Sequence, residues 1–207
     1  MSPSPLTGRW VLATGNRGKL TELRALLAGS GIELVAQDEL GVTSPEETGS
    51  TFVENAILKA RHASLHTGLP ALADDSGLVV EALGGAPGVR SARFAGDNCS
   101  DADNIAKLLG ALQDVPEVDR TAFFQCVVVA LRGAADPTPE IAQGRWQGLI
   151  ATEPSGTGGF GYDSVFFDPR LGATAAQLAP ATKNRVSHRG QALAALTELL
   201  RAGSGLR

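Results

Sequence analysis

Two acidic pairs are the first residues in this chain that could do chemistry. Glu46-Glu47 lies in a polar stretch, and Asp74-Asp75 directly follows the apolar run Ala71-Leu72-Ala73. Carboxylates are hard oxygen ligands, and Mg²⁺ takes one or two of them together with phosphate oxygens and water. Two acids set between ALA and SGLVV are hard to explain by solubility. In a loop at a strand's end they are well placed for a ligand of an open α/β sheet. A second feature is TGNRGK, residues 14–19, after Val11-Leu12-Ala13. A strand, a glycine turn and a helix can hold a phosphate, because free backbone N–H groups and a cation meet at the helix start. Lys19 is that cation, and Gly15 and Gly18 allow close backbone approach. The turn is not a P-loop. Only two residues separate its glycines, and Leu20 stands where Ser or Thr would bind a metal. A metal must then come from other loops, with Glu46 and Asp75 as candidate ligands.

Two further stretches could read the rest of a phosphate-bearing ligand. GTGGFGYD, residues 156–163, puts glycines before Phe160 and Tyr162, either of which could stack on a planar ring. TKNRVSHRG, residues 182–190, gathers Lys183, Arg185, His188 and Arg189 before the last helix, with Ser187 as candidate N-cap. Donors there suit an anion or a carbonyl oxygen. Asn55 and Lys59 are four apart and share a helix face. Each feature has a plainer alternative: solvated loop charges, an ordinary βα turn, core aromatics, a basic loop, an exposed helix pair. His62 and His66 have zinc-like spacing, but H-E-x-x-H fails. No G-x-S-x-G and no combination of Cys, His and Asp supports covalent catalysis.

The elements that must position these residues follow from periodicity. Trp10–Ala13 and Ile32–Ala36 read as strands around a helix at Leu20–Ala28, a β-α-β start that favours an α/β fold. Residues 38–50 read as a loop. Thr51–His66 is a helix, capped by Ser50 or Thr51 and ended by Gly68 and Pro70. Ala71–Ala73 is a short strand, then DDSG, then a strand at Leu78–Glu81. Ser100–Leu112 is helical. Thr121–Leu131 is almost continuously apolar, which suggests a central strand, and it should form an antiparallel hairpin with Ile141–Ile150. Val165–Phe167 is a strand and Gln191–Arg201 a helix. Residues 1–8 and 203–207 read as flexible ends. The sheet should be mixed.

Composition bounds the function. With 43% hydrophobic and 19% charged residues, the 207-residue chain should fold as one ordinary globular domain. Its net charge of −4 disfavours binding nucleic acid through phosphates alone. Cys99 and Cys126 form no C-x-x-C pair, so neither zinc nor a disulfide framework is indicated. No signal peptide and no apolar run of about 20 residues is evident, so a cytoplasmic protein is expected.

With these residues in place, LATGNRGK, EETGSTFVENAILKAR, ADDSGLVV, GGAPGVRSARFAG, GTGGFGYDSVF and SHRGQAL stand in one order from about Val11 to Leu199. The chain resembles the inosine triphosphate pyrophosphatase family, the RdgB-type dITP/XTP pyrophosphatases. The resemblance implies an elongated α/β protein with a mixed sheet, two lobes and a central substrate cleft, usually a homodimer. It implies Mg²⁺-dependent hydrolysis of ITP, dITP and XTP to monophosphate and pyrophosphate. By position, Thr14, Gly15, Asn16, Arg17, Gly18 and Lys19 match the triphosphate loop. Glu46 and Asp75 match the metal ligands, and Asp75 also the proton acceptor. Ser76, Phe160, Gly161, Tyr162, Asp163, Lys183, His188 and Arg189 match substrate-binding positions, with Asp74, Glu47 and Lys59 in support. A nucleotide sensor, a γ-phosphate hydrolase or kinase, and an RNA-binding protein are the rival classes.

Overall fold

The computed structural model describes residues 8–15, 17–29 and 31–204, and for residues 17, 22, 26 and 202–204 the backbone alone. The expected flexible residues 1–7 and 205–207, and the candidate Asn16, lie outside the described residues. The strands are β1 (Gly8–Leu12), β2 (Ile32–Ala36), β3 (Ala71–Val80), β4 (Thr121–Leu131), β5 (Glu140–Ile150), β6 (Phe166–Asp168) and β7 (Ala173–Thr174). The helices are α1 (Arg17–Leu26), α2 (Phe52–Thr67), α3 (Asp101–Ala111), α4 (Pro180–Val186) and α5 (His188–Ser204). The sheet runs β2-β1-β3-β4-β5-β6-β7. It is mixed: β1 is parallel to β2 and β3, whereas β6 is antiparallel to β5 and β7. The apolar β4 holds the central place its sequence predicts.

The chain divides into two compact units, residues 1–75, 126–144 and 189–207, and residues 76–125 and 145–188. In the first, the side chains of β3 alternate between two faces, as a strand's must. Leu72 joins Leu23 of α1, Leu27 just after it, and Leu193 and Leu196 of α5. Ala71 and Ala73 join Ala56, Ala60 and Ala63 of α2. The small alanines let α2 lie close on the sheet. In the second unit, Leu78, Leu108, Leu112, Phe124, Trp146 and Phe166 share a core.

Several boundaries differ from expectation, each for a physical reason. β1 starts at Gly8 because Gly8–Leu12 pairs residue by residue with Ile32–Ala36. α1 begins at Arg17, so Gly18 and Lys19 lie in its first turn. DDSG is not a loop between two short strands. Ala71–Val80 is one strand, and the acid pair lies inside it. The expected basic loop at 182–190 is instead two helices, α4 and α5, separated by Ser187 in extended conformation. Pro180 near the start of α4 was its sequence signal. Thr51, not Ser50, caps α2. Its side chain accepts from Glu54 N–H while Glu54 accepts from the Thr51 N–H, a reciprocal capping box.

Candidate functional site

Strand alternation sends Asp74 and Asp75 to opposite faces of β3, each toward different cations. Asp74 Oδ2 lies 3.0 Å from Lys19 Nζ at the start of α1 and 3.4 Å from Arg189 Nε at the start of α5. The carboxylate is fully buried. Burial pushes its pKa up, but Lys19, Arg189 and Lys59 outweigh burial and hold it well below the usual carboxylate range. This pairing is why a strand can carry an acid through the interior without breaking.

Asp75 faces α2. Its Oδ1 lies 2.7 Å from Lys59 Nζ, and Asn55 Nδ2 donates to Oδ2 at 3.4 Å. The same ammonium reaches Glu47 Oε1 at 2.9 Å. Burial raises the Asp75 pKa against the pull of Lys59. Burial lowers that of Lys59, but Asp75, Asp74 and Glu47 override it and keep the ammonium charged. The plainer expectation of an exposed Asn55–Lys59 pair is therefore overturned: Asn55 is 0% and Lys59 6% exposed. They flank the alanine stripe of α2 and reach the acid between them.

Asn55 also ties down the acidic loop, because its Oδ1 accepts from the Gly49 N–H at 2.8 Å. A Cβ at Gly49 would stand 2.6 Å from that Oδ1 and 2.7 Å from Glu54 Cβ, so only glycine fits. Asn55 thus links the loop of Glu46 and Glu47 to Asp75. Sequence reasoning set it aside, although its four-residue spacing from Lys59 was the available signal. Glu47 is half-buried against Lys59, while Glu46 is exposed. The loop Thr14–Gly15 and the first turn of α1 complete this group, with Gly15 3.8 Å from Ser44 Oγ measured at its would-be Cβ. Ser44 Oγ accepts from Gln37 Nε2 at 2.6 Å. The side chain of Arg17 lies outside the described residues.

The second unit holds the aromatic candidates. Lys183 Nζ lies 2.7 Å from Asp163 Oδ2 and 5.1 Å from the centre of the Phe160 ring. The same carboxylate oxygen accepts from the Phe160 N–H at 2.9 Å. Of the two candidate stacking rings, only Phe160 is partly exposed. Tyr162 is buried, and its hydroxyl donates to the Ser91 carbonyl at 2.8 Å. His188 stacks on Phe124 with ring centres 4.7 Å apart and planes at 15°. Ser76 is half-buried. The four basic groups of residues 182–190 have different near neighbours. Lys183 faces Asp163, His188 faces Phe124, Arg189 faces Asp74 and Arg185 is exposed. The rings of His62 and His66 lie 4.2 Å apart, tilted by 38°, and bond to the carbonyls of Thr43 and His62 respectively. Among the described residues no cluster of three or more His, Cys, Asp or Glu could hold a metal by itself.

An α/β sheet with a lysine at a helix start, a buried carboxylate–ammonium network and a lysine beside a half-exposed ring has the groups of a nucleotide-handling protein. The Ham1 family model matches residues 10–199. The dITP/XTP pyrophosphatase of Yersinia pseudotuberculosis serotype I (strain IP32953) is 61% identical over 191 residues, 92% of this chain and 97% of that protein. The dITP/XTP pyrophosphatase of Escherichia coli O157:H7 is 60% identical over 193 residues, 93% of this chain and 98% of that protein. The structure of a HAM1 protein from Coxiella burnetii superposes with a TM-score of 0.87 at 52% identity, covering 94% of this chain and 98% of that one. This chain belongs to the Ham1 family, as the order of its motifs led us to expect.

Proposed function

We propose that this protein hydrolyses the non-canonical purine nucleoside triphosphates ITP, dITP and XTP to the monophosphate and pyrophosphate. It thereby clears deaminated purines from the nucleotide pool before they enter DNA or RNA. The observation that carries this is the pair of adjacent buried acids on β3, each neutralised by a different lysine. It occurs in a chain 60% identical to the E. coli O157:H7 dITP/XTP pyrophosphatase.

Thr14 to Lys19 and the start of α1 bind the triphosphate, with backbone N–H groups and the Lys19 ammonium meeting its charge. Lys19 is held by Asp74 and so is oriented before substrate arrives. Asp75 orients a water for attack on the α-phosphorus and accepts its proton. Lys59 and Asn55 hold the Asp75 carboxylate in place. Ser76 contacts the substrate next to Asp75.

The donor set fits Mg²⁺. Glu47 and Asp75 already share one cation, the Lys59 ammonium, and Glu46 adds a further hard oxygen donor from the same loop. Glu46 and Asp75 are the ligands the family pattern assigns. Bound with the nucleotide, Mg²⁺ supplies neutralisation of triphosphate charge.

Phe160 stacks on the purine. Residues 160–163, Lys183, His188 and Arg189 form the nucleoside-binding set. Hypoxanthine and xanthine carry a carbonyl at C6, which accepts from donors such as Lys183 and His188. Adenine presents an amino group there, and buried donors left facing it disfavour ATP by orders of magnitude in kcat/KM. The protein works as a homodimer on free cytoplasmic nucleotides, without nucleic acid or membrane. Among the described residues no helix is long and apolar enough to cross a membrane.

Product analysis tests the proposal. Purified protein with Mg²⁺ and ITP, XTP, GTP or ATP should release IMP or XMP with pyrophosphate, and little from ATP or GTP. Diphosphate with orthophosphate would refute attack at the α-phosphorus. Binding without turnover would make the protein a nucleotide sensor.

A further inference from the structure

The loop that carries Phe160 is held by two carboxylates. One is Asp163, its own neighbour, which takes the Phe160 N–H. The other is Asp101, sixty residues earlier, whose Oδ2 accepts from the Gly161 N–H at 2.7 Å. Consecutive amides of one turn thus go to two separate acceptors. Gly161 has φ +60°, a left-handed conformation that glycine adopts without steric cost, so the hydrogen bonds at its two ends select this turn from the many open to a glycine.

Asp101 is itself well anchored. It opens α3, whose N-cap Ser100 is locked by a reciprocal box with Asp103. Asn104, one turn on, accepts from the Ala95 N–H at 2.8 Å and donates to the Ala92 carbonyl at 3.3 Å. The segment before α3 also takes the Tyr162 hydroxyl at the Ser91 carbonyl. Residues 88–104 therefore hold the turn at Gly161 and at Tyr162, and the Asp101 contact is the exposed one.

We propose that Asp101 is a positioning residue for the nucleobase end of the site. By accepting the Gly161 N–H it holds the turn in the conformation that presents the Phe160 ring and leaves the Asp163 carboxylate to Lys183. It touches no reacting atom. Its loss lowers the fraction of molecules with the ring in place, and apparent substrate affinity falls in proportion to that fraction. Asp101 is exposed, and its contribution to stability is that of an acid in a helix's first turn.

This inference rests on the hydrolysis proposed above, and the tests keep the two apart. With ITP, Asp101→Ala should raise KM about tenfold and leave kcat within about twofold, the pattern of lost ground-state and transition-state binding together. Asp101→Asn keeps an acceptor oxygen while removing the charge, so it should restore KM to near the wild-type value. Amide hydrogen exchange at Gly161, read by NMR without nucleotide, should quicken in Asp101→Ala and stay slow in Asp101→Asn. A purely structural role predicts a lowered melting temperature in both variants with no KM change, and that result overturns the proposal. Equal impairment of the Asn and Ala variants overturns it as well. If wild-type protein releases no pyrophosphate from ITP, the hydrolase proposal fails instead, and unchanged Gly161 exchange in Asp101→Ala would separately refute the tether.

Discussion

Removing the Asp74 carboxylate is the sharpest stability test of the charge network. The side chain is 0% exposed and stands 3.0 Å from Lys19 Nζ and 3.4 Å from Arg189 Nε, whose side chains are 15% and 3% exposed. Asp74→Ala takes from the buried Arg189 the carboxylate it faces, and breaking a buried pair in this way costs about 3–5 kcal/mol. Lys19 retains some access to water and can turn toward it, which points to the lower end, about 3 kcal/mol. That is a large share of a typical stability of about 5–15 kcal/mol. With a urea slope of about 2–3 kcal/mol per molar, the unfolding midpoint should fall by about 1–1.5 M at unchanged slope. Pairing Asp74→Ala with Lys19→Met should cost less than the two single losses summed, because both single variants lose the same ion pair. A midpoint shift below about 0.3 M, which at this slope is under about 1 kcal/mol, would refute the claim that Asp74 balances buried cations.

Three further outcomes are expected. Asp75→Asn, which keeps the side chain's shape on β3, should retain the circular dichroism of the wild type and lose about 100-fold or more in kcat. Near-wild-type turnover would exclude Asp75 as proton acceptor. Gly49→Ala drives a Cβ into Asn55 Oδ1 and Glu54, so it should cost about 1–3 kcal/mol in chemical denaturation and lower turnover by displacing the acidic loop. Asp168 is buried, which pushes its pKa up, but Arg170 and the Trp146 Nε1–H at 2.7 Å outweigh this and hold the carboxyl below the usual range. A folded-state pKa below the unfolded one adds stability above the unfolded value of about 3.9, lost as pH falls through the folded value. Asp168→Asn should therefore flatten the acid limb of a stability–pH curve below about pH 4, and an unchanged limb would argue against this pairing.

The fold's outline was legible wherever burial imposes a period. Ile32–Ala36 and Thr121–Leu131 match their strands residue for residue, the second because a central strand is apolar on both faces. The α2 start was legible to within a residue, as Ser50 or Thr51, since capping is local chemistry, and the box with Glu54 fixes it at Thr51. The break read into DDSG was not real. Adjacent acids look like a loop until their partners are known, and those partners, Lys19, Arg189 and Lys59, come from three different helices. In the same way, four basic groups within nine residues read either as donors before a helix or as a basic loop. Helices α4 and α5 then turned them toward Asp163, Phe124, Asp74 and solvent.

By itself the sequence determined the family, the mixed α/β class and the residue types of the site, because each is written in local order and spacing. Only the tertiary structure decided what those residues face. It assigned Asp74 and Asp75 to opposite sides of one strand, buried the Asn55–Lys59 pair that looked exposed, and brought Asp101 to the Gly161 amide from sixty residues away. A buried charge or an amide is satisfied by whichever group the packing brings within about 3 Å, and no pattern along the chain encodes that meeting.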